Sequence, residues 1–121
     1  MQLSHVTITR PPGSDAQARA FYTGLLGLPE VPAPELIRQR GALWFNAGAL
    51  DLHLVVEADR AGADLRRHFG LDCADVTKMR ARLDSAGFKT EDGRPAPWHR
   101  FFVNDPFGNR IEIHEIGGLR A

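Results

Sequence analysis

Two short stretches of the 121-residue chain set an acid and a histidine two positions apart. One is LDLHLV, with Asp51 and His53; the other is IEIHEI, with Glu112 and His114. Each alternates with aliphatic residues, the pattern of a half-buried strand. In a strand, residues i and i+2 project from one side. Each stretch therefore presents a carboxylate beside an imidazole, with leucine or isoleucine on the opposite face. Such a pair suits metal ligation, or proton transfer by a general base. His5 and His68 add an imidazole near the start of two further strand-like stretches, LSHVTIT and RRHFGLD. A lone strand histidine is ordinarily a hydrogen-bonded or exposed residue. A matched set asks for a common cause.

The elements that carry these residues recur. LSHVTIT (3–9) is β-branched and roughly alternating, a strand. PPGSDAQARAFYTGLLG reads as a turn and a helix, with Ser14 and Gln17 as a capping box and Gly27 as the stop. LPEVPAPE reads as a proline-rich loop, and LIRQR, ALWFNA and ALDLHLVVE as three strands. The second half reads likewise. RRHFGLD (66–72) is a strand; CADVTKMRARLDSAG is a helix with Asp72 as N-cap, Val76, Met79 and Leu83 on one stripe, and Gly87 as the stop. FKTED, HRFFVND and NRIEIHEI follow as strands, with GRPAP (93–97) as a loop. His5 and His68 are 63 residues apart, Gly27 and Gly87 60, Asp51 and Glu112 61, and His53 and His114 61. The near-constant offset indicates one domain, 1–121, holding an internal repeat of a βαβββ unit over 3–57 and 66–116.

Composition narrows the function. Fifteen Lys and Arg balance fifteen Asp and Glu, so no basic footprint for nucleic acid or an anionic membrane appears. No apolar run approaches the roughly 18 residues of a membrane span, and the first residues lack a signal-peptide core. The single cysteine, Cys73, excludes an intrachain disulfide framework and a thiolate-rich zinc site, and fits a cytoplasmic location. No phosphate loop, dinucleotide fingerprint or Ser-His-Asp order is visible.

FYTGLLGLPE and DPFGNRIEIHE, together with the repeat, resemble the vicinal oxygen chelate superfamily over about residues 3–116. That group includes glyoxalase I, extradiol dioxygenases and bleomycin-resistance proteins. The resemblance implies two βαβββ modules whose curved mixed sheets surround a cleft, with helices outside. It also implies a homodimer with a small-molecule substrate. Position by position, it places metal ligands at His5, His68 and Glu112, with Asp51 at a fourth position that glyoxalases fill with Glu or Gln. Two histidines and a carboxylate leave open sites on a divalent ion such as Zn, Ni, Mn or Fe. Asp51 is one methylene shorter than Glu, which leaves open whether it or His53 reaches the metal. Glu112, His114 and His53 are the candidates for catalysis.

Three functions follow from the resemblance. The first is a metal-dependent isomerase or lyase of the glyoxalase type. The second is a metal-free protein that sequesters a small molecule such as an antibiotic. The third is an extradiol-type dioxygenase. Elsewhere, Trp44, Phe45, Phe101 and Phe102 read as core and cleft wall, and His99 as a rim residue. Arg40, Arg100 and Arg110 read as solvated, with an anionic substrate favoured if one faces the site. DPFGN reads as a turn and Cys73 as buried filler.

Overall fold

The structure, a computed structural model, describes residues 1–59, 66–93 and 99–116. Most of the 57–66 joint and of the GRPAP loop lies outside the described residues. The chain divides into two units, Met1–Gly62 and Ala63–Ala121. Among the described residues no helix is long and apolar enough to cross a membrane.

The first unit holds β1 (His5–Arg10), α1 (Asp15–Arg19), β2 (Glu30–Val31), α2 (Glu35–Arg38), β3 (Leu43–Ala47) and β4 (Leu50–Val56). Its sheet runs in the order β1-β4-β3-β2, with β1 parallel to β4 and the other pairs antiparallel. The second holds β5 (Phe69–Cys73), α3 (Val76–Ser85), β6 (Thr90–Asp92), β7 (Arg100–Asn104) and β8 (Arg110–Glu115). Its order, β5-β8-β7-β6, repeats the first, again with one parallel pair. The result is an α+β fold of two four-stranded mixed sheets.

Alternation decides what each sheet buries. In β4, Leu52 and Leu54 are buried while Asp51 and His53 are partly exposed. Phe45 joins the leucines, and Ala18, Phe21 and Tyr22 cover them, with Tyr22 and Phe45 centroids 5.4 Å apart. In the second unit Ile111, Ile113, Phe101 and Val103 are buried, with Val76 and Leu83 of α3 also buried. Each such side chain contributes roughly 1.5–3 kcal/mol by leaving water. Both acid-x-His pairs therefore lie on the face turned away from their unit's apolar layer.

Several local expectations are corrected. LIRQR is not a strand: Pro34 takes φ −54° and ψ 146° as N-cap, and α2 covers Glu35–Arg38. Proline's fixed φ suits that place, and Glu35 pairs with Arg38 one turn on. The edge strand comes from the proline-rich stretch instead, as Glu30–Val31. After Arg19 the first helix widens into a π-helix, Ala20–Leu25, marked by Leu26 N–H donating to the Phe21 carbonyl at 3.0 Å. That turn buries the adjacent Phe21 and Tyr22 together.

Ser14 forms no capping box. Its hydroxyl donates to the Pro11 carbonyl at 2.6 Å and accepts from Arg10 Nη1 at 3.1 Å. Arg10 is fully buried at the end of β1 and also binds Asp15 and the Gly41 carbonyl. A guanidinium in that position needs the acceptors, and Ser14 is one of them. Asp75, not Asp72, caps α3, accepting from Lys78 N–H at 2.9 Å.

The DPFGN turn joins β7 to β8 and so aims the second acid-x-His pair. Buried Asp105 accepts from Phe107 N–H, Asn109 N–H and Asn109 Nδ2 at 2.8–2.9 Å, and Gly108 takes φ +89°. The carboxylate thus satisfies donors that a tight turn leaves without strand partners. Asp105→Ala removes all three bonds and is expected to cost about 1–3 kcal/mol, read from the midpoint of chemical denaturation. An unchanged midpoint would show that the turn stands without it.

Candidate functional site

The polar face of the first unit is a stack of rings. The His53 ring lies 3.8 Å from Trp44 with 3° between planes, and 4.3 Å from His5 with 16° between planes. Three adjacent strands, β1, β4 and β3, supply one ring each. Alternation separates the aromatics: Trp44 joins this face while Phe45 is core. Asp51 lies opposite His5, and its Oδ1 accepts from Asn46 Nδ2 at 3.0 Å. Ser4 Oγ meets His5 Nδ1 at 2.9 Å. Burial holds the His53 pKa below its usual value, and a neighbouring His5 charge lowers it further, against a smaller opposing pull from Asp51. A cavity of about 370 Å³ opens at the β2 edge of this unit, between Trp44, Leu43, the Arg19–Glu30 ion pair and Pro32, and neither His5, His53 nor Asp51 lines it.

The second unit carries the buried charges. Glu112 is 4% exposed and His114 9% exposed, although both project from the face without the apolar layer. Arg100, on the neighbouring β7, forms an ion pair with Glu112 Oε1. His114 Nδ1 lies 3.0 Å from the Glu115 carbonyl and 3.2 Å from Asp72 Oδ1. A carbonyl only accepts, so Nδ1 carries the proton, and neutral His114 has its lone pair on Nε2.

Gly70 makes room for this pair. A Cβ there would stand 3.3 Å from His114 Nε2 and 3.5 Å from Glu112 Oε2. Both side chains therefore settle over β5 backbone that bears no side chain. His68 donates Nδ1–H to the Arg66 carbonyl at 2.7 Å, which leaves its Nε2 as an acceptor.

Chain spacing matches His5 with His68, but the strand registers do not. His5 lies opposite Asp51, whereas Gly70 lies opposite Glu112. His68 precedes Gly70 by two residues, about 7 Å along the chain direction. His53 and His114 do hold matching places, each two residues after the acid of its strand. Within neither unit are three His, Cys, Asp or Glu side chains gathered around one point, among the described residues.

Reading the sequence left Arg100 in solvent and passed over Gly70. Arg100 instead sits 14% exposed against Glu112. The available signal was position: Arg100 lies on a strand next to a buried acid, at the same alternation phase as Phe102. Arg110, also expected in solvent, is 21% exposed with its guanidinium 4.1 Å from the Phe102 centroid. His99 is an exposed rim residue, 3.4 Å from Glu115 Oε1.

Two outcomes follow from these geometries. Arg100→Gln strands a buried carboxylate and is expected to cost about 3–5 kcal/mol, whereas Arg100→Met with Glu112→Leu is expected to cost far less. Denaturation of the single and double variants compares them; equal losses would mean that packing, not charge, dominates. For His53, the folded state binds its proton less readily than the unfolded chain. Stability is therefore expected to fall as pH drops below the unfolded value of about 6.5, until the folded pKa is passed. An NMR titration placing the His53 midpoint at or above 6.5 would contradict this.

Comparison with known proteins agrees with the fold. The profile of the Glyoxalase/Bleomycin resistance protein/Dioxygenase superfamily matches residues 2–113. A glyoxalase family protein from Bacillus anthracis is 35% identical over 95% of this chain and 94% of its own, with a TM-score of 0.87. A lactoylglutathione lyase from Agrobacterium tumefaciens is 24% identical, covering 98% and 95%, with a TM-score of 0.71. The fosfomycin resistance protein FosX from Listeria monocytogenes is 15% identical, covering 96% and 93%, with a TM-score of 0.78. The last two share the fold. No curated protein sequence matches the chain. With the matched region running from β1 into β8, and so taking in strands of both sheets, the chain belongs to the Glyoxalase/Bleomycin resistance protein/Dioxygenase superfamily.

Proposed function

We propose that this protein is an enzyme of the glyoxalase type, performing isomerase or lyase chemistry on a small oxygen-bearing molecule. The observation that carries the reading is the burial of Glu112 and His114 on a face without an apolar layer. Burying a charge is costly unless it is matched, and the fold gives up a side chain at Gly70 to seat the pair. Stability alone does not ask for that arrangement, because an apolar pair would serve as well or better.

The proposed ligand set is His5, His68 and Glu112. Its donor chemistry suits a divalent ion. His68 gives Nδ1–H to a backbone carbonyl, the usual second bond of a metal-binding imidazole. His5 has Nδ1 engaged by Ser4 Oγ. Glu112 has Oε1 on Arg100, while Oε2 faces Gly70. When bound, a divalent ion supplies Lewis-acid polarisation of a substrate oxygen. Asp51 remains outside the set, since Asn46 already holds its shorter side chain.

His114 is the proposed proton acceptor. The Glu115 carbonyl and Asp72 carboxylate hold Nδ1–H, so Nε2 is the atom that takes a proton from substrate carbon. Arg100 keeps the Glu112 side chain in one place through the exchange. His53, packed between His5 and Trp44, orients the His5 ring and stays neutral to lower pH than a free imidazole.

One observation favours a second reading, a metal-free protein that sequesters a small molecule. Arg100 already neutralises Glu112, so the carboxylate is matched without an ion. Metal analysis of protein purified without chelator separates the two. The enzyme reading expects about one divalent ion per chain, with loss of affinity in His68→Ala and Glu112→Gln and weaker binding below pH ~6.5. Metal-free protein that cannot be reloaded from solution would sink the metal site and leave the sequestering reading.

A further inference from the structure

We infer that the polar face of the second unit selects a small oxyanion, a carboxylate or phosphonate, through Arg110. The inference rests on the site proposed above and names its substrate class. Arg110, Glu112 and His114 occupy alternate positions of β8 and so share one face. The step from Arg110 to Glu112 is about 7 Å along the strand, a distance that a few bonded atoms span. An anionic group held at Arg110 leaves the adjoining atoms of the same molecule beside Glu112 and His114.

Arg110 differs from Arg100 in what meets its charge. Arg100 is paired directly with buried Glu112. Arg110 lies over Phe102, with its guanidinium carbon 4.1 Å from the ring centroid, and Glu91 Oε2 stands 3.9 Å from Nη1. That distance is too long for a hydrogen bond, and the Glu91 side chain is 56% exposed. A cation–π contact uses the face of the guanidinium and leaves the N–H edges for an acceptor in its plane. Contact with the ring at 4.1 Å limits the movement of the guanidinium, which favours bidentate capture of a carboxylate or phosphonate over a neutral oxygen. His68 meets the same ring edge-on, with centroids 5.2 Å apart. Phe102 thus supports an imidazole and two guanidiniums, Arg110 closely and Arg100 at 5.6 Å from the same centroid. The Arg110 side chain is thereby drawn largely out of solvent, at 21% exposure.

The test uses the full chain and methylphosphonate, with acetamide as a neutral control. Binding is followed by titration calorimetry and by the Arg110 Nε–Hε NMR signal, with and without EDTA. Methylphosphonate is expected to bind and to move that signal in both conditions, while acetamide does neither. Arg110→Gln should weaken binding at least tenfold, Arg110→Lys should weaken it less, and Arg82→Gln, on α3, should not change it. Binding that vanishes with EDTA and ignores Arg110→Gln would place the anion on a metal ion; the inference then fails while the metal reading stands. Binding that persists in EDTA and needs Arg110 supports the inference whichever way metal analysis falls. An Arg110 signal indifferent to methylphosphonate overturns it even if Arg110→Gln does not fold.

Discussion

Everything in this molecule hangs on a period of two. Strands β4 and β8 are interior in their sheets, each with a parallel neighbour on one side and an antiparallel one on the other. Their leucines and isoleucines are buried, which fixes their phase because a shift of one residue would send them to the other face. The same phase sends Asp51, His53, Glu112 and His114 to the polar side. Core packing and the chemical face are thus one decision. Since β1 and β3 pair with β4, and β5 and β7 with β8, neighbouring residues inherit their faces from it. Trp44 against Phe45, and Phe102 against Phe101, show the inheritance.

The two units answer that constraint differently on their polar sides. In the first, rings fill the space: His5, His53 and Trp44 stack, and Asp51 finds an amide partner in Asn46. In the second, buried charge and hydrogen bonds fill it: Arg100 pairs with Glu112, and Asp72 accepts from His114 Nδ1–H. The registers track the difference. Opposite Asp51 stands a histidine, but opposite Glu112 stands Gly70, and the freed volume admits the larger acid and the imidazole beside it. Stacked rings tolerate partial burial with few polar partners, whereas the deeper burial of Glu112 demands the guanidinium.

This explains which features could be read from the sequence. Repetition and alternation are encoded by residue type, so the two βαβββ units and the faces of Asp51, His53, Glu112 and His114 were legible. Features set by partners far along the chain were not. Arg10 is buried because Ser14, Asp15 and the Gly41 carbonyl close around it, and the last of these lies 31 residues away. That competition also undid the capping box at Ser14. LIRQR alternated well enough for a strand, yet Pro34 ahead of it started a helix. The equivalence of His5 and His68 followed from counting, and counting does not register a two-residue slip between parallel strands. Gly70 carried no signal, because its role lies in what two distant side chains need.

The Arg100–Glu112 pair is where stability and chemistry meet. A carboxylate at 4% exposure is matched by the cation that lies against it. The same cation limits what that carboxylate can do. With Oε1 engaged by Arg100, Oε2 is the oxygen left toward Gly70 and His114 Nε2. The fold therefore presents one acceptor oxygen beside one acceptor nitrogen, both held from behind by fixed donors and acceptors. A proton or cation that reaches the space over Gly70 meets an acceptor from each side chain. That pair of acceptors is a physical account of why the arrangement is suited to taking up a proton or an ion, and an apolar pair at the same two positions would offer neither.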